Sequence, residues 1–173
     1  MLENYNTYRI LGVFFDSPAR NFQLREISRL THISLPSVIN HVKSLEKQGF
    51  LRKRKNGVYE SYSADKTKKF KVYKRNDILL RIEETGLIEF IADRVQPNTI
   101  VLFGSAARGE DVEDSDIDLF VLSEEAELDL KSFEDKLKRK IRIMFEKDIR
   151  ELPKELMNNI INGIILYGYL KVL

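Results

Sequence analysis

Hydrophobic residues recur at helical spacing in successive stretches near the start of the chain. The stretch 5–15 is apolar in this rhythm and stops at 16–18 (Asp-Ser-Pro), which is a turn signal. A shorter stretch, 23–30, carries one apolar stripe formed by Leu24, Ile27 and Leu30. We therefore predict two helices separated by a turn.

A third helix is predicted after the turn at 31–33. Ser34 is a good N-cap, and Pro36 is tolerated in the first turn because its missing N–H would be unpaired there in any case. The helix is expected to run to about Gln48, with Gly49 as its stop. Its inward-facing residues are Val38, Val42 and Leu45.

Two extended segments, 50–55 and 58–62, flank Asn56-Gly57. Asn-Gly between such segments is a strong hairpin signal, because a type I′ turn needs positive φ at both central residues. The order helix, helix, turn, helix and hairpin predicts a winged helix.

The connection that follows is less regular. The run 66–75 is basic with interleaved aromatic residues, and we predict a solvated linker or strand, with an extension of a phosphate-binding surface as the alternative. Residues 76–95 are amphipathic and predict a connecting helix with a possible break at Gly86. This helix could pack on the second domain or pair with a copy of itself.

Shorter elements alternate after residue 96. An apolar run, 100–103, enters a turn and a short helix that ends at Gly109, and a second apolar strand follows it. We then predict a helix over 130–140, a strand over 141–145 and a closing helix over 153–169. The expected core residues of that helix are Met157, Ile160, Ile161, Ile164, Ile165 and Leu166.

These elements predict an α+β protein: an N-terminal winged helix-turn-helix followed by a small α/β domain with a mixed sheet. The expected boundaries are 1–75 for the winged helix, 76–95 for the connecting helix and 96–173 for the second domain.

Charge divides the chain in the same way. Residues 1–75 carry 16 Lys and Arg against 6 Asp and Glu, a net charge of +10, whereas residues 76–173 carry 13 against 21, a net charge of −8. A basic half suits a polyanion, and an acidic half can gather divalent cations that recruit phosphates. The chain has no cysteine, which excludes disulfides and thiolate metal sites, and it has no signal-peptide pattern. We therefore expect a cytoplasmic protein with no membrane partner.

Residues 5–65 resemble the winged helix-turn-helix regulators of the MarR and ArsR kind, most clearly in the segment LREISRLTHISLPSVINHVKSLEKQGFLRK. The resemblance implies binding to duplex DNA and, because such proteins commonly read two half-sites, a homodimer. Some winged helices bind protein partners instead.

The third helix and the hairpin carry the candidate DNA contacts. Side chains on the exposed face of the helix can reach base edges and phosphates: Ser37, Asn40, His41, Lys43 and Ser44. Basic side chains of the hairpin would lie against the phosphate backbone and contribute affinity without sequence choice: Arg52, Lys53, Arg54 and Lys55.

Candidate chemistry in the acidic half is concentrated in residues 99–122. Asp116 and Asp118 are two residues apart on a strand, so their carboxylates share one face while Ile117 and Leu119 enter the core. Carboxylates at that spacing suit Mg²⁺, and a Gly-Ser turn that opens a helix offers N–H groups and a hydroxyl to phosphate. Both halves of the segment predict one ligand, a magnesium-bound nucleoside triphosphate.

The strand followed by Gly-Ser-x-x-Arg-Gly and then Asp-x-Asp resembles the signature of the DNA polymerase β-type nucleotidyltransferase superfamily in its minimal form, over about residues 97–170. The resemblance implies that Gly104 and Ser105 contact phosphates, that Arg108 supports the phosphate loop and that Asp116 and Asp118 hold magnesium. ATP is the expected nucleotide.

One position departs from the superfamily pattern. Active members usually add a third carboxylate on the next strand, where it helps to hold a metal and deprotonate the attacking hydroxyl. Arg142 occupies the expected position, and Glu146 lies further along the same face. Either Glu146 substitutes as the third catalytic carboxylate, together with Asp116 and Asp118, or the site is catalytically weakened.

Two functions remain open. Minimal nucleotidyltransferases often act as antitoxins to a helical partner of the HEPN type, so the resemblance implies an autoregulated DNA-binding antitoxin that transfers a nucleotidyl group to a protein. The alternative is a transcription regulator whose nucleotidyltransferase fold is an inactive nucleotide sensor or dimer scaffold. Arg142 favours the second, and the intact Gly-Ser and Asp-x-Asp favour the first.

Overall fold

The computed structural model describes residues 5–56 and 59–171. The chain divides into two units, Met1–Asp77 and Ile78–Leu173. The elements of the first unit are α1 (Asn6–Asp16), α2 (Leu24–Thr31), α3 (Leu35–Lys47), β1 (Leu51–Asn56) and β2 (Tyr59–Ala64).

In the first unit, the three predicted helices and the two predicted strands are confirmed, and their ends lie within two residues of the predicted ones. Its core is formed by the apolar faces of these helices together with Phe22, Phe50 and Leu51. Val38, Val42 and Leu45 are buried as predicted, whereas Leu30 is 53% exposed and does not belong to the buried stripe of α2. Ser34 is the N-cap of α3 by position, but in the described chain its hydroxyl makes no capping hydrogen bond.

The two strands form an antiparallel ribbon whose register runs from Leu51 opposite Ala64 to Asn56 opposite Tyr59. The turn predicted at Asn56-Gly57 cannot be compared, since Gly57 lies outside the described residues. Phe22 adds a backbone bridge to Tyr62, which ties the start of α2 to β2.

The segment 66–75 is helical from Lys68 onward, so the prediction of a linker or strand was wrong for residues 68–75. It belongs to α4 (Lys68–Thr85), which begins eight residues before the predicted connecting helix and is followed by α5 (Leu87–Val95) after a break at Gly86. Tertiary packing explains the difference: Phe70 is buried against Phe15 with ring centroids 5.2 Å apart. Lys74 is also buried and donates a hydrogen bond to the Phe15 carbonyl at 2.5 Å.

The second unit is built on a four-stranded sheet in the order β5-β4-β3-β6. Strands β3 (Thr99–Phe103), β4 (Ile117–Leu122), β5 (Ile141–Glu146) and β6 (Ile164–Gly168) are joined by short helices, which are α6 (Gly104–Arg108), α7 (Lys131–Leu137), a 3₁₀ turn (Ile149–Glu151) and α8 (Lys154–Ile161). β3 is antiparallel to both its neighbours, and β4 is parallel to β5. The predicted mixed sheet is therefore confirmed.

Both faces of this sheet are covered. Ile100, Leu102, Ile117 and Leu119 point to one face, where they pack with Ile82, Leu87 and Ile91. Val101 and Phe120 point to the other face, where Ile149, Leu152 and Ile160 cover them. The alternation along β3 and β4 leaves polar positions only at the strand ends, which is where the candidate site lies.

The predicted closing helix over 153–169 was wrong in its second half. Helix α8 ends at Ile161, and the chain then forms β6, which pairs with β3. Gly163 permits this close approach, because a Cβ there would lie 2.5 Å from the Leu102 carbonyl oxygen. β6 satisfies backbone groups of β3 that would otherwise lie unpaired at the sheet edge. Ile160 is buried as expected, but Ile161 and Ile165 are exposed.

Candidate functional site

The turn from β3 into α6 depends on Gly104. This residue has φ +72°, which side chains other than glycine rarely adopt, and a Cβ there would lie 2.6 Å from Oδ2 of Asp118. Glycine is therefore required both for the backbone path and for the approach of the carboxylate. The Asp118 carboxylate therefore lies too close to the first turn of α6 for a side chain at position 104.

Asp116 and Asp118 are held by the start of β4. Asp118 lies opposite Phe103 in the antiparallel register, while Ile117 and Leu119 are fully buried in the core. Both carboxylates are partly exposed. The structure therefore brings together Gly104, Asp118 and Asp116, as the sequence predicted.

The Asp118 carboxylate lies in a partly desolvated position. Burial raises the pKa of Asp118 above its ordinary value, the guanidinium of Arg142 opposes that shift and the Asp116 carboxylate adds to it. A carboxylate whose charge is incompletely solvated gains from a bound cation.

Ser105 and Arg108 lie at the two ends of α6. The first N–H groups of a helix have no partner within the helix, so the Gly104-Ser105 end offers donors to an anion. Arg108 lies at the other end, next to Gly109, and pairs with Glu110 at 3.0 Å. Among the described residues, the ion-pair partner of Arg108 is therefore Glu110 and not Asp116 or Asp118.

The sequence does not predict the ion pair between Asp111 and Arg139, which we call the clamp, on the loop between α6 and β4. The Asp111 side chain is only 2% exposed and accepts a hydrogen bond from Nη1 of Arg139 at 2.7 Å, and the Arg139 side chain is 13% exposed. Arg139 also donates through Nε to the Ser115 carbonyl at 2.5 Å. The clamp fixes the backbone immediately before Asp116. The two residues are 28 positions apart with no shared pattern, so no signal in the sequence links them.

Arg142 is next to the carboxylates, as predicted from the alternation of β5. It lies opposite Asp118 in the parallel register, and its guanidinium donates to Oδ2 of Asp116 at 2.6 Å. A cation therefore occupies the position beside the two carboxylates.

The structure does not bring Glu146 to this site, contrary to the expectation that it could act as the third catalytic carboxylate. Glu146 lies opposite Leu122 at the far end of β5. Glu146 is four residues further along the strand than Arg142, and at about 3.3 Å per residue this separates them by roughly 13 Å. A modest bend of β5 cannot close that gap, because β5 is paired with β4 along its whole length.

The two carboxylates fit a magnesium ion that arrives with a nucleotide. Among residues 5–56 and 59–171 no group of three or more His, Cys, Asp or Glu side chains could hold a metal ion. Mg²⁺ is commonly bound through one or two carboxylates together with substrate phosphates. Asp116 and Asp118 would hold it, and Asp118 lies close to the turn at Gly104 that was predicted to bind phosphate.

The candidate DNA contacts of α3 differ in exposure. Asn40, Lys43 and Ser44 are exposed, whereas Ser37 and His41 are partly buried. The ring of His41 is hydrogen-bonded through Nδ1 to the Thr7 hydroxyl at 2.8 Å, which ties it to α1.

The basic side chains of the ribbon are exposed, and two of them have carboxylate partners. Arg52 pairs with Asp65, and Lys53 pairs with Glu60 at 2.6 Å. A groove of about 600 Å³ lies along one face of this ribbon, and its polar lining includes Arg52, Arg54, Lys55, Ser61, Ser63 and Lys66.

Comparison with known families gave one match, and it falls on the second unit. Residues 86–170 match the family model described as Polymerase beta, Nucleotidyltransferase. The match supports a nucleotidyltransferase-type domain. It begins at α5, about ten residues before the segment in which the sequence motif was recognised. No curated protein and no solved structure matched the chain. None of the helices in the described part of the chain is long and apolar enough to cross a membrane.

Proposed function

We propose that this protein binds DNA through its first unit and a magnesium-bound nucleoside triphosphate, ATP being the expected one, through its nucleotidyltransferase-type domain. The observation that carries the nucleotide proposal is the close approach of the Asp118 carboxylate to Gly104, where an added Cβ would lie 2.6 Å from Oδ2. It joins a phosphate-binding turn to a metal-binding carboxylate at one point.

Each residue of this site has a distinct role in the proposal. The N–H groups at Gly104 and Ser105, with the Ser105 hydroxyl, bind phosphate oxygens, while Asp116 and Asp118 hold the magnesium ion that the phosphates also bind. Arg108 supports the turn from the end of α6 through its pair with Glu110. The Arg139 clamp keeps the backbone before Asp116 in position.

Calorimetric titration of the full chain with ATP and Mg²⁺ tests the nucleotide proposal. We expect saturable binding that is lost in the double variant Asp116→Asn, Asp118→Asn. Asp114→Asn is the matched control, since Asp114 is an exposed carboxylate two residues from Asp116. Binding by the control and none by the double variant supports the site, and absence of binding by the unmutated protein refutes it.

The DNA proposal rests on the basic first unit, interpreted as a winged helix-turn-helix. Asn40, Lys43 and Ser44 are exposed on α3, where they can reach base edges and phosphates. The register of the ribbon pairs Arg52 with Ser63 and Arg54 with Ser61, and all four line the basic groove. Cations interleaved with hydroxyl groups suit a phosphate backbone.

Nucleotidyl transfer to a protein hydroxyl is the second candidate function, with a small helical HEPN-type toxin as the proposed acceptor and an autoregulated antitoxin as the proposed role. The family match over residues 86–170 favours it. Against it stands Arg142, since a guanidinium cannot accept the proton of the attacking hydroxyl. An inactive nucleotide sensor with DNA-binding activity is therefore the function that the geometry supports best.

Incubation with labelled ATP, Mg²⁺ and a candidate helical partner separates the two functions. Transfer of label that requires Asp116 and Asp118 would establish the enzyme. Because Glu146 lies far along β5, we expect Glu146→Gln to leave any such transfer unchanged. Nucleotide binding without transfer to any partner would establish the sensor.

A further inference from the structure

Arg142 is placed where its charge bears directly on the nucleotide site. Its register partner is Asp118, and its guanidinium donates to Oδ2 of Asp116 at 2.6 Å. The side chain of Arg142 is 71% exposed and that of Asp116 is 29% exposed. An ion pair with this much exposure contributes little to folding, so stability does not account for the arrangement.

The charge of the site differs from that of a site with three carboxylates. Two carboxylates and one guanidinium carry a formal charge of −1, whereas a third carboxylate at Arg142 would make it −3. Two divalent cations need several anionic ligands from the protein, because such metal pairs lie only about 4 Å apart and repel each other. The site in this chain has the charge to hold one such ion.

The guanidinium retains donors for a second ligand. It has five N–H groups in a planar fork, which matches the oxygens of a phosphate as well as those of a carboxylate. Asp116 likewise can accept from Arg142 through Oδ2 and still offer its other oxygen to a metal ion.

We propose that Arg142 takes the place of a second metal ion: it neutralises Asp116, contacts the triphosphate directly and limits the site to one divalent cation per nucleotide. This inference rests on the proposed binding of a magnesium nucleotide. It assigns Arg142 as a binding and specificity-determining residue of that site.

Counting bound Mn²⁺ by electron paramagnetic resonance tests the proposal, with a non-hydrolysable ATP analogue and the full chain. We expect one tightly bound Mn²⁺ per nucleotide complex in the unmutated protein and in Arg142→Lys, which keeps the cation. Arg142→Asp supplies a third carboxylate, and we expect two bound ions. Lys147→Asp changes the net charge equally at another exposed position of the same unit and should leave the count at one.

Nucleotide affinity gives an independent measurement on the same proteins. Arg142→Asn should weaken binding of the analogue by about tenfold or more, since the variant can no longer donate charged hydrogen bonds to the phosphates. Lys147→Asn should leave the affinity unchanged.

The possible results separate the inference from the proposal on which it depends. Two ions in the unmutated protein, one ion in Arg142→Asp, or an unchanged affinity in Arg142→Asn would overturn the role of Arg142 while nucleotide binding stands. If neither the unmutated protein nor any variant binds the analogue with Mn²⁺, both the proposed function and this inference fail.

Discussion

Asp118 is a proposed metal ligand, and its burial disfavours the charged form of its carboxylate. Its carboxylate is partly desolvated beside Gly104, and burial raises its pKa. A raised pKa means that the folded state disfavours the charged form that metal binding requires. The ionised Asp118 side chain therefore destabilises the folded protein at neutral pH, and the proposed binding of a metal ion would offset this cost.

We expect Asp118→Asn to be more stable than the unmutated protein in the absence of divalent ions. Because the folded-state pKa of Asp118 is raised, the stability that its protonated form contributes is lost as pH rises through that pKa. Thermal unfolding should give equal Tm values at acidic pH, where Asp118 is protonated in both states, and a higher Tm for the variant at neutral pH. A variant with a lower Tm at neutral pH would contradict this account.

The clamp residues allow a second test at the residue scale. Arg139→Ala removes the ion pair that Arg139 forms with the almost fully buried Asp111, and we expect a loss of about 3 kcal/mol in the free energy of unfolding. Lys131→Ala removes an exposed pair with Asp135 and should change the free energy of unfolding far less. Denaturant unfolding measures the loss in both variants. Equal losses would show that the Asp111–Arg139 ion pair is no more stabilising than an exposed one.

The sequence predicts those site residues that are close along the chain. Asp116 and Asp118 share a strand face, and Gly104 opens the adjoining helix, so local spacing was enough to group them. Local spacing does not predict the Asp111–Arg139 clamp, because only the folded loop brings these side chains together. Glu146 was misjudged for a related reason: strand parity gives the face of a residue but not its distance from a site.

At the scale of elements, the unit β3–α6–β4 was predictable from the sequence and β6 was not. The apolar positions 157, 160, 161 and 164 keep helical spacing through the end of α8, so periodicity alone extends the helix. The pairing partner offered by β3 and the close contact at Gly163 favour the strand instead. Such competition between local pattern and tertiary pairing cannot be resolved from one sequence.

Comparing substitutions at two glycines that have the same φ tests the proposed role of the turn at Gly104 in phosphate binding. Gly104 and Gly86 both have φ +72°, but a Cβ would meet Asp118 at Gly104 and nothing within 4 Å at Gly86. Each substitution by alanine should cost about 1–2 kcal/mol of stability from the left-handed backbone. Only Gly104→Ala should also weaken binding of magnesium ATP, by about tenfold or more. Equal affinities of the two variants, measured by calorimetry, would contradict the proposed role of Gly104.

At the scale of the whole molecule, the two halves carry opposite charge. The net charge is +10 over residues 1–75 and −8 over residues 76–173. The basic half suits the phosphates of DNA, and the acidic half contains the two carboxylates of the proposed magnesium site. The composition of each half therefore agrees with the ligand proposed for it.

Replacing the four basic residues Arg52, Lys53, Arg54 and Lys55 by alanine should weaken binding of the full chain to all duplex sequences. The dependence of affinity on salt should become shallower, by about 0.9 in the logarithmic slope for each DNA phosphate that the variant no longer neutralises. A control with the same charge change replaces exposed cations of the second unit: Arg94, Lys131, Lys136 and Lys147. Equal effects in both proteins would show that only net charge matters, and an unmutated protein without DNA affinity at low salt would refute the proposal.

In the proposed function, Gly104 and Asp118 belong to the binding site of a magnesium nucleotide. An amide ¹H–¹⁵N titration of the full chain with Mg²⁺ and a non-hydrolysable ATP analogue tests this directly, because each shifted signal identifies a residue. We predict that the largest changes occur at Gly104, Ser105 and the start of β4, and that they require Mg²⁺. Changes confined to the first unit, or none at saturating analogue, would contradict the account.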